Sequence, residues 1–160
     1  MDYDEPDGTA AHAAIVLRWR LRALAAGQTA ACDLLHAQLG TRRGLATILD
    51  QAEVRLHFMA ALLADVAWTN GDKGGHDATW PPAAPEADEV RRASHSDTGR
   101  RRATMKPHQR AAVLAYLDAL LSVVADCSSL DRHAPSPTLG REARRFIADF
   151  GKVRAATVTG

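Results

Sequence analysis

The sequence predicts an all-α fold, a bundle of four or five helices with a long, partly disordered central crossover loop, and three observations carry that prediction. Apolar residues make up 46% of the 160-residue chain while aromatics make up only 5%, so a core must be built from Ala, Leu, Val and Ile. Alanine has the highest intrinsic helix propensity and loses no side-chain entropy, which tilts the chain toward helices. Apolar residues also recur at spacings of three and four in four separate stretches, and the middle of the chain lacks them. A single domain over residues 1–160 buries about 68–70% of the surface its unfolded form exposes, enough to stand without a disulfide or a metal.

Residues 1–8, Met1-Asp2-Tyr3-Asp4-Glu5-Pro6-Asp7-Gly8, read as an acidic tail with nothing apolar to anchor it and no basic flank of a secretory signal. Thr9 is placed to cap a first helix from Ala10, in which Ala14, Leu17, Leu21 and Leu24 share a face. Gly27 ends or bends it. Thr29 is placed to cap a short second helix holding Leu34, Leu35 and Leu39, and Gly40 to close it in a left-handed conformation. The strongest periodicity runs from Leu45 to Trp68, where Leu45, Leu49, Ala52, Leu56, Met59, Leu63 and Val66 form the seam of one long bundle helix stopped at Asn70-Gly71.

From residue 71 to 106 the pattern stops. Gly74-Gly75, Pro81-Pro82 and Pro85 punctuate a segment with few apolar side chains, so it reads as a low-apolar loop or lid with short helical turns between Pro85 and Arg92 at most. Pro107 suits a first helical position, and the helix it opens carries Leu114, Leu117, Leu121 and Val124, backed by Val113, Leu120 and Val123. After the Pro135 and Pro137 punctuation, Leu139, Ala143, Phe146, Ile147, Phe150 and Val153 mark a final helix whose outer face is Arg141, Arg144 and Arg145. Residues 155–160 read as a loose tail.

The formal charge of +1 gives no global positive field. Cys32 and Cys127 lie far apart in apolar helical contexts and read as reduced thiols, which favours a cytoplasmic setting. No uncharged apolar run is long enough to predict a membrane span.

Five groups of residues are candidates for chemistry. Arg91, Arg92, Arg100, Arg101, Arg102, Lys106 and Arg110 cluster in and beside the central segment, and such a run attracts phosphate backbones or an acidic partner. Trp80, beside Pro81-Pro82, is an isolated loop aromatic suited to docking on the bundle or on another protein. Against this, arginines in a loop can simply keep it solvated or pair with Glu86, Asp88 and Glu89, and the interleaved aromatics of a single-strand binder are absent. Arg91-Arg92-Ala93-Ser94 and Arg101-Arg102-Ala103-Thr104 each place basic residues just before a hydroxyl, where a phosphate would find arginine donors.

Cys32 with His36, and Glu53 with His57, stand one helical turn apart, a spacing that presents metal ligands on one face. The Glu-x-x-His spacing of di-iron carboxylate bundles does not occur, and an ordinary surface pair explains Glu53 and His57, so no metal or cofactor is expected. Arg102 and His108 match in spacing the arginine-to-histidine motif of helical nucleases, and in that respect the chain resembles the HEPN superfamily. The resemblance covers these two residues and the all-helical character, with Pro107 lying between them. It implies RNA cleavage in which the arginine stabilises developing phosphorane charge and the histidine moves the proton.

The first functional expectation is a non-enzymatic interaction or regulatory protein that acts as a homo-oligomer or an adaptor, because amphipathic helices offer faces through which a small bundle dimerises. The second is a nucleic-acid-associated protein using the arginine cluster. The third is an enzyme or small-ligand binder with its pocket between helices.

Overall fold

The structure, a computed structural model, describes residues 6–71, 83–95, 105–130, 132, 134 and 136–159, with the side chains of residues 6–8 left aside. Among the described residues the chain is all-helical: α1 (Pro6–Ala25), α2 (Gln28–Leu39), α3 (Arg43–Asp50), α4 (Ala52–Thr69), α5 (Pro85–His95), α6 (Pro107–Leu130) and α7 (Pro137–Thr159). Seven helices therefore stand where four or five were expected.

The four long helices touch in a ring, α1 against α4 and α6, and α7 against α6 and α4. The shorter α2 and α5 pack on each other and on α6, and α3 joins α2 to α4 and α7. One continuous core results, with Ala14, Leu21, Leu63, Val113, Val123, Phe146 and Val153 fully enclosed. Phe146 and Phe150 stack with their ring centroids 4.2 Å apart.

Local chemistry fixes where several helices begin and end. The Ser136 hydroxyl accepts the Leu139 N–H at the head of α7, just before Pro137, and supplies a partner to an otherwise orphaned donor. At the head of α6, buried Gln109 reaches back to accept the Lys106 N–H and donates to the Ala93 carbonyl 3.1 Å away near the end of α5. Tyr116 of α6 donates its hydroxyl to the Leu24 carbonyl in the last turn of α1, at 2.7 Å. Asn70 donates both its backbone and side-chain N–H to the Val66 carbonyl, and Gly71 follows with φ +117, so the expected stop after α4 is present.

Several expectations need correction. The helix expected from Leu45 to Trp68 is divided at Gln51, whose N–H is shared between the Thr47 and Ile48 carbonyls at 3.2 and 3.3 Å; the chain bends there, although Leu49, Leu56 and Leu63 still line the core. Gly40 is right-handed, with φ −63, and its N–H bonds to the His36 carbonyl. α1 starts at Pro6, ahead of Thr9, and α2 starts after Gly27 with no side-chain cap from Thr29. Within the expected loop 71–106 lies α5, a continuous helix of 11 residues, about three turns, with Ala87, Val90 and Ala93 buried. The expected tail 155–160 is helical to Thr159 and buries Ala156 and Thr157. On α6 the backing residues Val113, Leu120 and Val123 are deeper than Leu114 and Leu121, so the buried face is rotated from the expected stripe.

Candidate functional site

The helix that decides the functional reading is α4, because it carries two apolar stripes. Ala52, Leu56, Met59, Leu63, Val66 and Ala67 face the core against α1 and α7. At 100° per residue, Val54, Phe58, Ala61, Asp65 and Trp68 fall on the opposite side of the cylinder, at alternating spacings of four and three. Val54, Phe58 and Trp68 are exposed by 71%, 43% and 55%, and Ala61 is exposed as well. Apart from Val158 near the end of α7, they are the large hydrophobic side chains that the described residues leave in solvent. Single exposed apolar residues are ordinary, whereas three aligned on one face of one helix, with Ala61 and the charged Asp65 between Phe58 and Trp68, are not.

Charge frames this strip on one side. His57 lies next to Glu53, 3.8 Å away, and both are well exposed. Between α1 and α4 runs an open groove of about 470 Å³, whose Ala60 and Ala61 wall is rimmed by Arg18, Arg22 and His57. On the other side, Arg55 spans to Asp149 of α7 at 2.8 Å and lies 5.2 Å above the Phe146 ring, largely out of water. The strip is therefore held on a helix anchored on both flanks.

The sequence-predicted residues separate. Cys32 is buried, its thiol near the Leu49 carbonyl and the Gln28 amide, and burial pushes its pKa up. His36, one turn later, pairs instead with Asp50 of α3 at 3.1 Å, and Glu53 and His57 form their own surface pair. No group of three or more potential ligands able to hold a metal ion occurs among the described residues. Cys127 is likewise unbridged and buried, with its thiol pushed up to about 12, chiefly by loss of solvation. Both thiols stay protonated near neutral pH and serve as small core residues.

The basic candidates are divided too. Arg91 and Arg92 stand on the outer side of α5, Arg91 3.6 Å from Asp88 and Arg92 2.8 Å from Glu89, rather than on an irregular arm. Lys106 and Arg110 flank the first turn of α6, where the Arg110 N–H bonds to the Lys106 carbonyl. Trp80, Arg100, Arg101 and Arg102 lie outside the described residues, so the Arg102–His108 pairing is not placed. Trp19 packs against the core, whereas Trp68 belongs to the exposed strip.

Reading the sequence for one seam missed Val54 and Phe58. The signal was present: the same stretch holds a second heptad, offset by two residues, and a helix apolar on two sides needs cover on two sides. Comparison with protein-family models, with curated proteins and with solved structures gives no match to this chain.

Proposed function

We propose that this chain is a non-enzymatic interaction protein, built on a four-helix frame of α1, α4, α6 and α7 braced by three shorter helices, which docks through the outward face of α4. The observation that carries this reading is the exposed strip of Val54, Phe58 and Trp68 on a helix otherwise fixed in the core. Burying such side chains contributes ~1.5–3 kcal/mol each, and hot spots of interfaces are enriched in aromatic side chains. An enzyme or ligand binder would be expected to converge polar side chains inside an enclosed pocket. The α1–α4 groove instead keeps Arg18, Arg22 and His57 at an open rim over alanines. Arg91 and Arg92, adjacent on one helix and each with an acidic partner three residues earlier, give little weight to a phosphate-binding arm.

The test is native sizing of the chain in an extract of the cells that make it. The expected result is an assembly heavier than the 17.2 kDa chain, lost when Phe58 and Trp68 are both replaced by Glu in a protein whose helical spectrum is unchanged. Wild-type chain migrating at its own mass in the extract would overturn the reading.

A further inference from the structure

Positive charge is gathered on one side of α7. At 100° per residue, Arg141, Arg144, Arg145, Ala148, Lys152 and Ala155 fall within one arc of about 100°, and all six are exposed. The two carboxylates of this helix lie off that arc and are engaged: Asp149 holds Arg55 of α4 at 2.8 Å, and Glu142 stands 3.8 Å from Arg145. Arg154, on the flank toward α6, is taken by Asp118. Arg141, Arg144 and Lys152 have no ion pair among the described residues, in contrast to Arg91 and Arg92 of α5. α7 thus holds five cationic side chains against two carboxylates in a chain whose formal charge is +1, so its positive field is local.

We infer that this stripe binds the phosphate backbone of double-stranded DNA, a function beyond the docking through α4 and independent of it. The stripe carries no large apolar side chain, because Leu139, Phe146, Phe150 and Val153 are enclosed in the core on the other side of the helix. A protein interface draws its energy from buried apolar anchors, and a helix lying on a membrane inserts an apolar face. Contact through charge alone suits phosphates, where neutralising each one releases a condensed counterion. Single strands are disfavoured, since no aromatic interrupts the cations to stack an unpaired base.

Spacing selects the B-form duplex. Arg141, Arg144 and Arg145 form one cluster, and Lys152 stands about 10–13 Å further along the axis at 1.5 Å per residue. A minor groove about 6 Å wide between phosphate surfaces sets facing phosphorus atoms about 12 Å apart, so the arginines meet one strand and Lys152 the other. Ala148, between them, leaves room over the groove. The minor groove of an A-form RNA duplex is too wide for this straddle.

The test is fluorescence anisotropy of a labelled DNA duplex of about 20 base pairs, mixed-sequence, titrated with the purified full chain. Saturable binding is expected at about 50 mM salt, weakening on the order of a hundredfold by about 200 mM, as about four phosphate contacts require. Arg141→Gln with Arg144→Gln should weaken binding about tenfold or more and lower the logarithmic salt slope by about two; Lys152→Gln should lower it by about one. These side chains are exposed, so the helical spectrum should stay unchanged. Arg141→Lys with Arg144→Lys should retain most of the binding, and Arg91→Gln with Arg92→Gln should bind as wild type. Failure of the wild-type chain to bind at low salt overturns the inference. Binding lost through Arg100→Gln, Arg101→Gln and Arg102→Gln while the α7 variants bind normally also overturns it. So does tighter binding to an RNA duplex, to polyglutamate or to phosphatidylserine vesicles than to the DNA duplex.

Discussion

α4 and α6 are both apolar around most of their circumference, yet the molecule treats them in opposite ways. α6 is, among the described residues, the helix long and apolar enough by composition to cross a bilayer. α1, α2, α5 and α7 surround it, and no large hydrophobic side chain of α6 is exposed. α4 packs chiefly on α1 and α7, and its remaining face carries Val54, Phe58 and Trp68 into solvent. The difference teaches that apolarity all round a helix counts the surfaces that must be covered without saying which molecule covers them. For α6 the cover is local, supplied by the short helices α2 and α5. For α4 it is the docking that we propose.

The largest effect should come from placing the same charge on each helix. Val123 on α6 is fully buried, so Val123→Asp leaves a carboxylate without water or partner and is expected to cost about 4–5 kcal/mol or more, most of a typical domain's stability. Phe58→Asp on α4 should change the stability of the monomer by no more than about 0.5 kcal/mol. Urea unfolding followed by helical signal, at concentrations too low for association, makes the comparison. Equal losses at the two positions would erase the distinction between a covered face and an exposed one.

The two helices also differ in where they keep titratable groups. Tyr116 and Cys127 are buried on α6, and desolvation raises both, whereas Glu53, His57 and Asp65 of α4 are exposed. A group whose proton is held more tightly folded than unfolded stabilises the fold fully below its unfolded pKa and loses that contribution as pH rises to its folded value. For Cys127 the window runs from 9.0 to about 12. The wild-type chain should therefore lose on the order of 4 kcal/mol more across that window than Cys127→Ala does. Asp65→Asn should leave the alkaline slope as it is. Parallel stability curves for wild type and Cys127→Ala would show that the thiol reaches solvent.

What the sequence made legible follows from side-chain size. Leucine and phenylalanine stripes located α1, α4 and α7, and placed Leu49, Leu56, Leu63, Phe146 and Val153 in the core. α5 escaped because two of its three buried residues, Ala87 and Ala93, count for little on a hydrophobic scale, although alanine is the residue that lets helices approach most closely. Its local signals were nonetheless complete: Pro85 at the first position, Glu86 and Asp88 in the first turn, Arg92 and His95 in the last, matching the helix dipole. The end of α7 was missed for the same reason, since Ala156 and Thr157 are buried without being bulky. The bend at Gln51 and the pairing of His36 with Asp50 depend on how α3 turns back toward α2, a tertiary arrangement that no local spacing encodes. For the candidate face, two interleaved heptads were readable, but which of them the fold would cover was not.

Gly27 offers the smallest and sharpest test of the cover over α6. The sequence marks it only as a break between α1 and α2, yet a Cβ placed there would lie 2.8 Å from the Ala87 Cα, 2.9 Å from its Cβ and 3.1 Å from its carbonyl oxygen. The α1–α2 corner thus sits directly against the backbone of α5. Gly27→Ala should push α5 outward and cost about 1–3 kcal/mol, the range for forcing a methyl group into a packed contact. Because two of the three close atoms are backbone, adding Ala87→Gly should recover only part of the loss. Amide exchange should accelerate in α5 and in the first turns of α6, where Gln109 holds the two helices together, while α4 stays protected. If exchange instead rose evenly over all four long helices, α5 would be part of one cooperative core rather than a separable cover, and the contrast between α6 and α4 would rest on the frame itself.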